Sequence, residues 1–137
     1  MKTHRQSKTR RGASAVEFAL VAPIFFLVAM GIFEFGRAMM VQQMLINASR
    51  EGARNAIFQN SSTDSAITAT IDHLTRSGLT IARERVTVAP DPTTAAHGEP
   101  VTVTVAVPYT DVGWIPGFFM QDRTLTASTT MSYETTN

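Results

Sequence analysis

Few residues in this sequence can do chemistry, and the most informative of them is Glu17. It is the only charge in an apolar run covering residues 13–33. An ionisable residue at a bilayer centre costs roughly 2.5–3.5 kcal/mol, and less near an edge, so this carboxylate needs a partner or a function. Glu34 and Arg37 close the run. Three residues apart on a helix, they are expected to form an ion pair where the helix leaves the membrane. His4, His73 and His97 are scattered, with no two at metal-ligand spacing. Asp72 beside His73 reads as a solvated helix face, not a catalytic dyad. The absence of cysteine excludes disulfides, thiol nucleophiles and Cys-based zinc sites. The Ser and Thr residues near the C-terminus alternate with apolar ones and have no base beside them, and the glycines at 113 and 117 frame a turn, not a phosphate loop. The expectation is a protein that is not an enzyme and has no cofactor, no metal and no small-molecule substrate.

The element that positions Glu17 is a helix. Residues 13–33 would span about 31 Å at 1.5 Å per residue, which matches a hydrocarbon core of roughly 30 Å. Pro23 within it should kink the helix or free a backbone carbonyl, which membranes tolerate where neighbours re-satisfy the group. Ahead of the run, residues 1–12 hold Lys2, Arg5, Lys8, Arg10 and Arg11 and no acid, whereas residues 13–137 hold seven arginines against eleven acids. The net charge of +1 hides this asymmetry. A basic leader at 1–12 should be disordered or lie on the membrane surface. It should also stay in the cytoplasm, which puts the rest of this single-pass chain on the extracytoplasmic side. No basic face with interleaved aromatics suggests a nucleic-acid partner. A secretory signal would have an apolar stretch of about 7–15 residues followed by a polar cleavage region; this run is longer and continues as helix.

From residue 34 to about 58 the pattern turns amphipathic. Val41, Leu45, Ala48, Gly52 and Ala56 recur at helical spacing, while Gln42, Gln43, Arg50, Glu51 and Arg54 lie mostly elsewhere. One helix is therefore expected over about 14–58, roughly 68 Å long. The methionines at 30, 39, 40 and 44 read as adaptable packing residues. A second short helix follows, capped at Ser62, Thr63 or Asp64, with Ile67, Ile71 and Leu74 on one face and a stop at Ser77 and Gly78. The period then changes to two. Val86 and Val88, then Val101 to Val107, then Leu125 to Tyr133 alternate with polar or small residues, giving three strands. The fold class is α+β: a long N-terminal transmembrane helix extended into a small domain, 59–137, with a short helix and a three-stranded antiparallel sheet. Between the last two strands lies an apolar connection with Trp114, Ile115, Phe118 and Phe119. It must cover the core, meet a partner, or touch the membrane interface, where Trp is favoured.

The segment RRGASAVEF places a basic tail, Gly12, then Glu17 as the fifth and Phe18 as the sixth residue after it. It resembles the class III signal of type IV pilins, in the acid-aromatic variant of Tad (tight adherence) or Flp pilus proteins. The continuation EFALVAPIFFLVAMGIFEFGRAMMVQQMLINASREGARNAI resembles the TadE-like family. The resemblance covers residues 10–57 well and the Thr-rich tail loosely; the short Flp major pilins are similar only in the first part. It implies a type IV pilin-like minor pilin or pseudopilin in the cytoplasmic (inner) membrane. It also implies cleavage between Gly12 and Ala13 by a prepilin peptidase that recognises Glu17 and Phe18, and assembly with other Tad pilins and Tad assembly components. Cleavage would create an α-amine on Ala13, largely cationic near neutrality and about 6 Å along the helix from Glu17. Between staggered subunits that pair could close and set axial register. The competing expectation is an unprocessed single-pass protein whose outer domain binds a partner through the aromatic connection.

Overall fold

The computed structural model of the protein describes residues 8–58, 60–96, 98–114 and 117–132, with side chains from residue 12 onward. Helix α1 (Lys8–Ala56) is a single 49-residue helix that runs through Pro23. It starts six residues before the expected Ser14, so the part of the leader from residue 8 is helical where disorder or a surface segment was expected. Gly12 weakens that start by about 1 kcal/mol relative to Ala without ending it. Residues 1–7 lie outside the described residues.

The helix has two unlike halves. Its N-terminal half is long and apolar enough to cross a membrane, and no residue of its most apolar 18-residue stretch is fully buried. Its C-terminal half packs. Ala38, Val41, Leu45, Ala48, Gly52, Ala53 and Ala56 are buried, which includes every residue of the stripe read from the 3.6-residue period. Beyond Ala56 the chain turns at Asn60, which takes a left-handed φ of 61°, a conformation Asn tolerates better than most residues.

Helix α2 (Thr63–Arg76) begins in a capping box: Ser62 Oγ accepts from Ser65 N, and Ser65 Oγ from Ser62 N, both at 3.1 Å. It ends in a Schellman motif, with Leu79 N donating to Leu74 O and Gly78 N to Thr75 O, around Gly78 at φ 85°. Leu74 and Leu79 are both buried, closing the motif with an apolar contact. The centre of its inner face is Ala66, Thr70 and Leu74; Ile67 and Ile71 are half-buried beside them. Small side chains occupy the centre because α2 comes close to α1 at Gly52. A Cβ there would overlap Thr70 Oγ1 and stand 3.3 Å from the Ala66 carbonyl oxygen.

A 3-10 turn (Arg83–Arg85) leads into β1 (Val86–Ala89), which pairs with β2 (Val101–Pro108); β2 pairs in turn with β3 (Thr124–Met131). The sheet is antiparallel in the order β1-β2-β3. Its register aligns Val86, Val105 and Ala127 in one row and Val88, Val103 and Thr129 in another, facing the helices. The polar member of that face is satisfied: Thr129 Oγ1 lies 2.7 Å from Ser49 Oγ, which itself donates to Ile46 O. Hydroxyl pairs Thr102–Thr130 and Thr104–Ser128 line the other face. The α+β architecture is therefore the expected one. A four-residue helix α3 (Tyr109–Val112) directly after β2 and the 3-10 turn are additions to it. Tyr133 lies outside the described residues.

Candidate functional site

The site lies where α1 changes from apolar to amphipathic. Glu34 is only 2 % exposed there. Its carboxylate faces the connection between α3 and β3, where three successive backbone amides converge on it. Phe118 N donates to Oε1, and Phe119 N and Met120 N donate to Oε2 at 2.8 and 3.2 Å. Consecutive N–H groups of this kind form an anion-binding nest, and the anion here is a side chain of the same protein. The Phe118 N–H does most to hold the Glu34 carboxyl below its ordinary value; burial opposes it, and the Phe119 and Met120 amides reinforce it. Gly117 makes the turn possible. A Cβ there would come within 3.0 Å of Gln121 N and 3.3 Å of Tyr109 Cδ1.

Tyr109 supports the nest from behind. Its ring is buried, its hydroxyl donates to the Glu34 carbonyl oxygen at 3.3 Å, and its own N–H donates to Arg123 O. Burial raises the phenol above its ordinary value, the Glu34 charge adds to that, and Arg37 opposes it. The phenol therefore stays a donor at neutral pH.

Arg37 does not pair with Glu34, which corrects the expected membrane-exit ion pair. Its Nε donates to Val112 O at 3.0 Å, and its guanidinium stands 4.6 Å from the centroid of Trp114. Among the described residues, no ion pair joins it to Glu34. The reason is competition: three preorganised amides on a buried carboxylate outweigh one mobile neighbour on the same helix. Both partners come from about 75 to 85 residues away in the chain. Sequence spacing carries no signal for them, because backbone amides are alike at every position. The available clue was a glycine before two aromatics in a connection too apolar to be an ordinary loop.

Phe118 and Phe119 meet edge to face, with centroids 5.1 Å apart, and lie along α1 on the N-terminal side of Glu34. Together with Phe26, Leu27 and Met30 they line an apolar cleft, and Phe119 is close enough to Gly31 that a Cβ there would sit 3.5 Å from its ring. Met120 packs against the core. The connection thus covers the core with one residue and leaves Trp114 and Phe118 exposed. Ile115, counted with them from the sequence, lies outside the described residues, as do His4 and His97.

The remaining candidates lie at the other end of α1. Gly12 and Ala13 are inside a helical turn, and Glu17 and Phe18 are exposed about one turn further on. Glu17 has no ion-pair partner among the described residues. A basic segment, a glycine, an unpartnered acid and an apolar stem thus follow one another on a single helix. Residues 12–54 match the family model of TadE-like protein. The match is to the family that the sequence resembles. It starts at Gly12 and stops two residues short of the end of α1, so the TadE-like segment holds Glu17, Glu34 and Arg37 but not the sheet. No curated protein and no solved structure matches the chain. Beyond the TadE-like segment, no three His, Cys, Asp or Glu side chains come together among the described residues as a metal site would require.

Proposed function

We propose that this chain is a minor pilin or pseudopilin of a Tad pilus or secretion system, cleaved after Gly12 by a prepilin peptidase and contributing to pilus assembly. The observation that carries the reading is the TadE-like match, which begins at the glycine that would precede the cut. In this reading residues 1–12 are a cytoplasmic leader, 13–33 the transmembrane stem, 34–58 its amphipathic extension, and 59–137 an extracytoplasmic domain in a single-pass inner-membrane protein. The chain is then the substrate of an enzyme, with other Tad pilins and assembly components as partners.

Each part of α1 has a physical task. The basic leader holds the cleavage site at the cytoplasmic surface. Gly12 has poor helix propensity, so the turn around the scissile bond opens at little cost when the peptidase binds. Cutting before the apolar run leaves the protein in the membrane. The new amine on Ala13 becomes the ion-pair partner that Glu17 lacks among the described residues, contributed by a staggered neighbour, and selects axial register. Glu17→Gln that leaves both processing and co-assembly intact would overturn the register role.

The cleavage itself has a clean test. Lys2 and Lys8, the two lysines of the sequence, both precede Gly12. Removing the first 12 of 137 residues leaves a 125-residue chain without lysine. Amine-selective labelling with intact-mass measurement, on protein from membranes with an active peptidase, should show at most one labelled amine on that chain. Recovery of the full-length protein with both lysines labelled would defeat the pilin reading and favour the unprocessed anchored protein.

A further inference from the structure

The geometry points to Trp114, Phe118 and Phe119 as a lipid-contact surface, by which the domain dips into the leaflet next to it and is held at a fixed height on its stem. This rests on residues 13–33 spanning a bilayer.

The first observation is continuity. No residue of the most apolar stretch of α1 is fully buried, and at its C-terminal end Phe118 and Phe119 share an apolar cleft with Phe26, Leu27 and Met30, the Phe119 ring lying beside Gly31. Met30 and Phe26 precede Glu34 by four and eight residues, roughly 6–12 Å along the helix axis at 1.5 Å per residue. That is the depth of acyl chains if the helix leaves the membrane near Glu34. Phe118 is 71 % exposed at this level.

The second observation is grading by depth. Trp114, 77 % exposed, sits higher, along Ile32, Phe33, Gly36 and Met40, where an indole is favoured at the membrane interface. Arg37, three residues past Glu34, lies over its ring, at the level where a guanidinium would meet lipid phosphates. The phenylalanine rings thus lie toward the hydrocarbon, and the tryptophan with the arginine over it lies toward water.

The third observation explains Glu34. Irregular backbone at membrane depth is tolerated only where its polar groups are satisfied within the protein. The amides of Phe118, Phe119 and Met120 are satisfied by one carboxylate. A backbone whose amides are already paired in this way can approach the leaflet without carrying unpaired groups into it. A second copy of the chain is the rival occupant, but it would not require aromatics graded along the membrane normal.

Trp114 is the only tryptophan of the sequence and cysteine is absent, so two site-specific probes are available. The full-length protein is reconstituted into phosphatidylethanolamine–phosphatidylglycerol vesicles, and its retention after alkaline flotation is checked. Trp114 emission is then read against aqueous iodide and against lipids brominated along their chains. The expected result is emission shifted to the blue of the chain unfolded in denaturant, loss of iodide quenching, and quenching by brominated lipid, all independent of protein-to-lipid ratio. An environment-sensitive label on Phe118→Cys should report an apolar, lipid-quenched setting. A protein that floats while Trp114 and the label stay open to iodide would overturn the inference and leave the span standing. Protection that grows with protein density would overturn it in favour of a second copy. A protein that fails to float would overturn both the span and this inference.

Discussion

Replacing Gly52 by alanine should destabilise the domain although it improves the helix. Alanine in a helix interior is better than glycine by about 1 kcal/mol, so the local effect alone would raise stability. The packing effect is larger and opposite. The new Cβ would overlap Thr70 Oγ1, approach Val103 Cγ1 to 3.2 Å, and stand 3.3 Å from the Ala66 carbonyl oxygen. Overpacking of a filled core costs about 1–3 kcal/mol. Turning Thr70 aside also breaks its 2.8 Å bond to Ala66 O in a fully buried place. An unsatisfied buried hydroxyl costs about 1–3 kcal/mol more. The net loss is about 3 kcal/mol, which for a folded part of this size lowers the unfolding midpoint by about 12–24 °C. Thermal unfolding of the full-length protein in detergent, followed by far-ultraviolet circular dichroism and Trp114 emission, measures it. Adding Thr70→Ala should restore most of the loss, because the nearest obstructing atom is gone. A Gly52→Ala midpoint equal to or above that of the parent would refute the close crossing of α1 and α2.

Four further outcomes are expected. Glu34→Gln, which keeps the shape but not the charge, should leave the three amides poorly paired and open Trp114 to iodide in vesicles. Because the Glu34 carboxyl is held below its ordinary value, its stabilising effect is complete above the unfolded value of about 4.3 and disappears as pH falls through the lower folded value. Acid titration of the parent should therefore release Trp114 at a pH below that unfolded value, while Glu34→Gln shows no such transition. Gly78→Ala forces a side chain into a left-handed conformation at φ 85° and should cost about 1–2 kcal/mol in the same unfolding experiment. Ser49→Ala deprives Thr129 of its partner 2.7 Å away and should cost about 1–2 kcal/mol.

Local periodicity made much of this fold legible. The stripe from Val41 to Ala56 reads directly as the buried face of α1, because a helix that packs on one side must repeat its small and apolar residues every 3.6 positions. The alternating valines of β2 and the serine before α2 are local signals of the same kind. The helix start was less legible: a basic, polar segment has no periodicity to oppose or support a helix, and α1 continues back to Lys8. Four-residue α3 was too short to carry a period. The site at Glu34 was legible only in part. Glu17 and Gly12 stand out in the sequence because a charge beside an apolar run is costly and a glycine is permissive wherever the chain goes afterwards. Glu34 and Arg37 stood out too, but their partners did not. Proximity on one helix suggested that they bond to each other, whereas tertiary structure supplied backbone donors and an aromatic face from the far end of the chain.

The unbroken run of α1 also makes the stem an angular gauge. A helix advances about 100° per residue, so the number of residues between Glu17 and Val41 sets the direction in which the domain faces relative to the acid. Inserting one residue in the stem would turn the domain by about 100° while lifting it only about 1.5 Å. Inserting seven would lift it about 10 Å and return it almost to its original azimuth. Height and heading are thus written in the same residues, and a neighbour that engages both Glu17 and the domain reads them together.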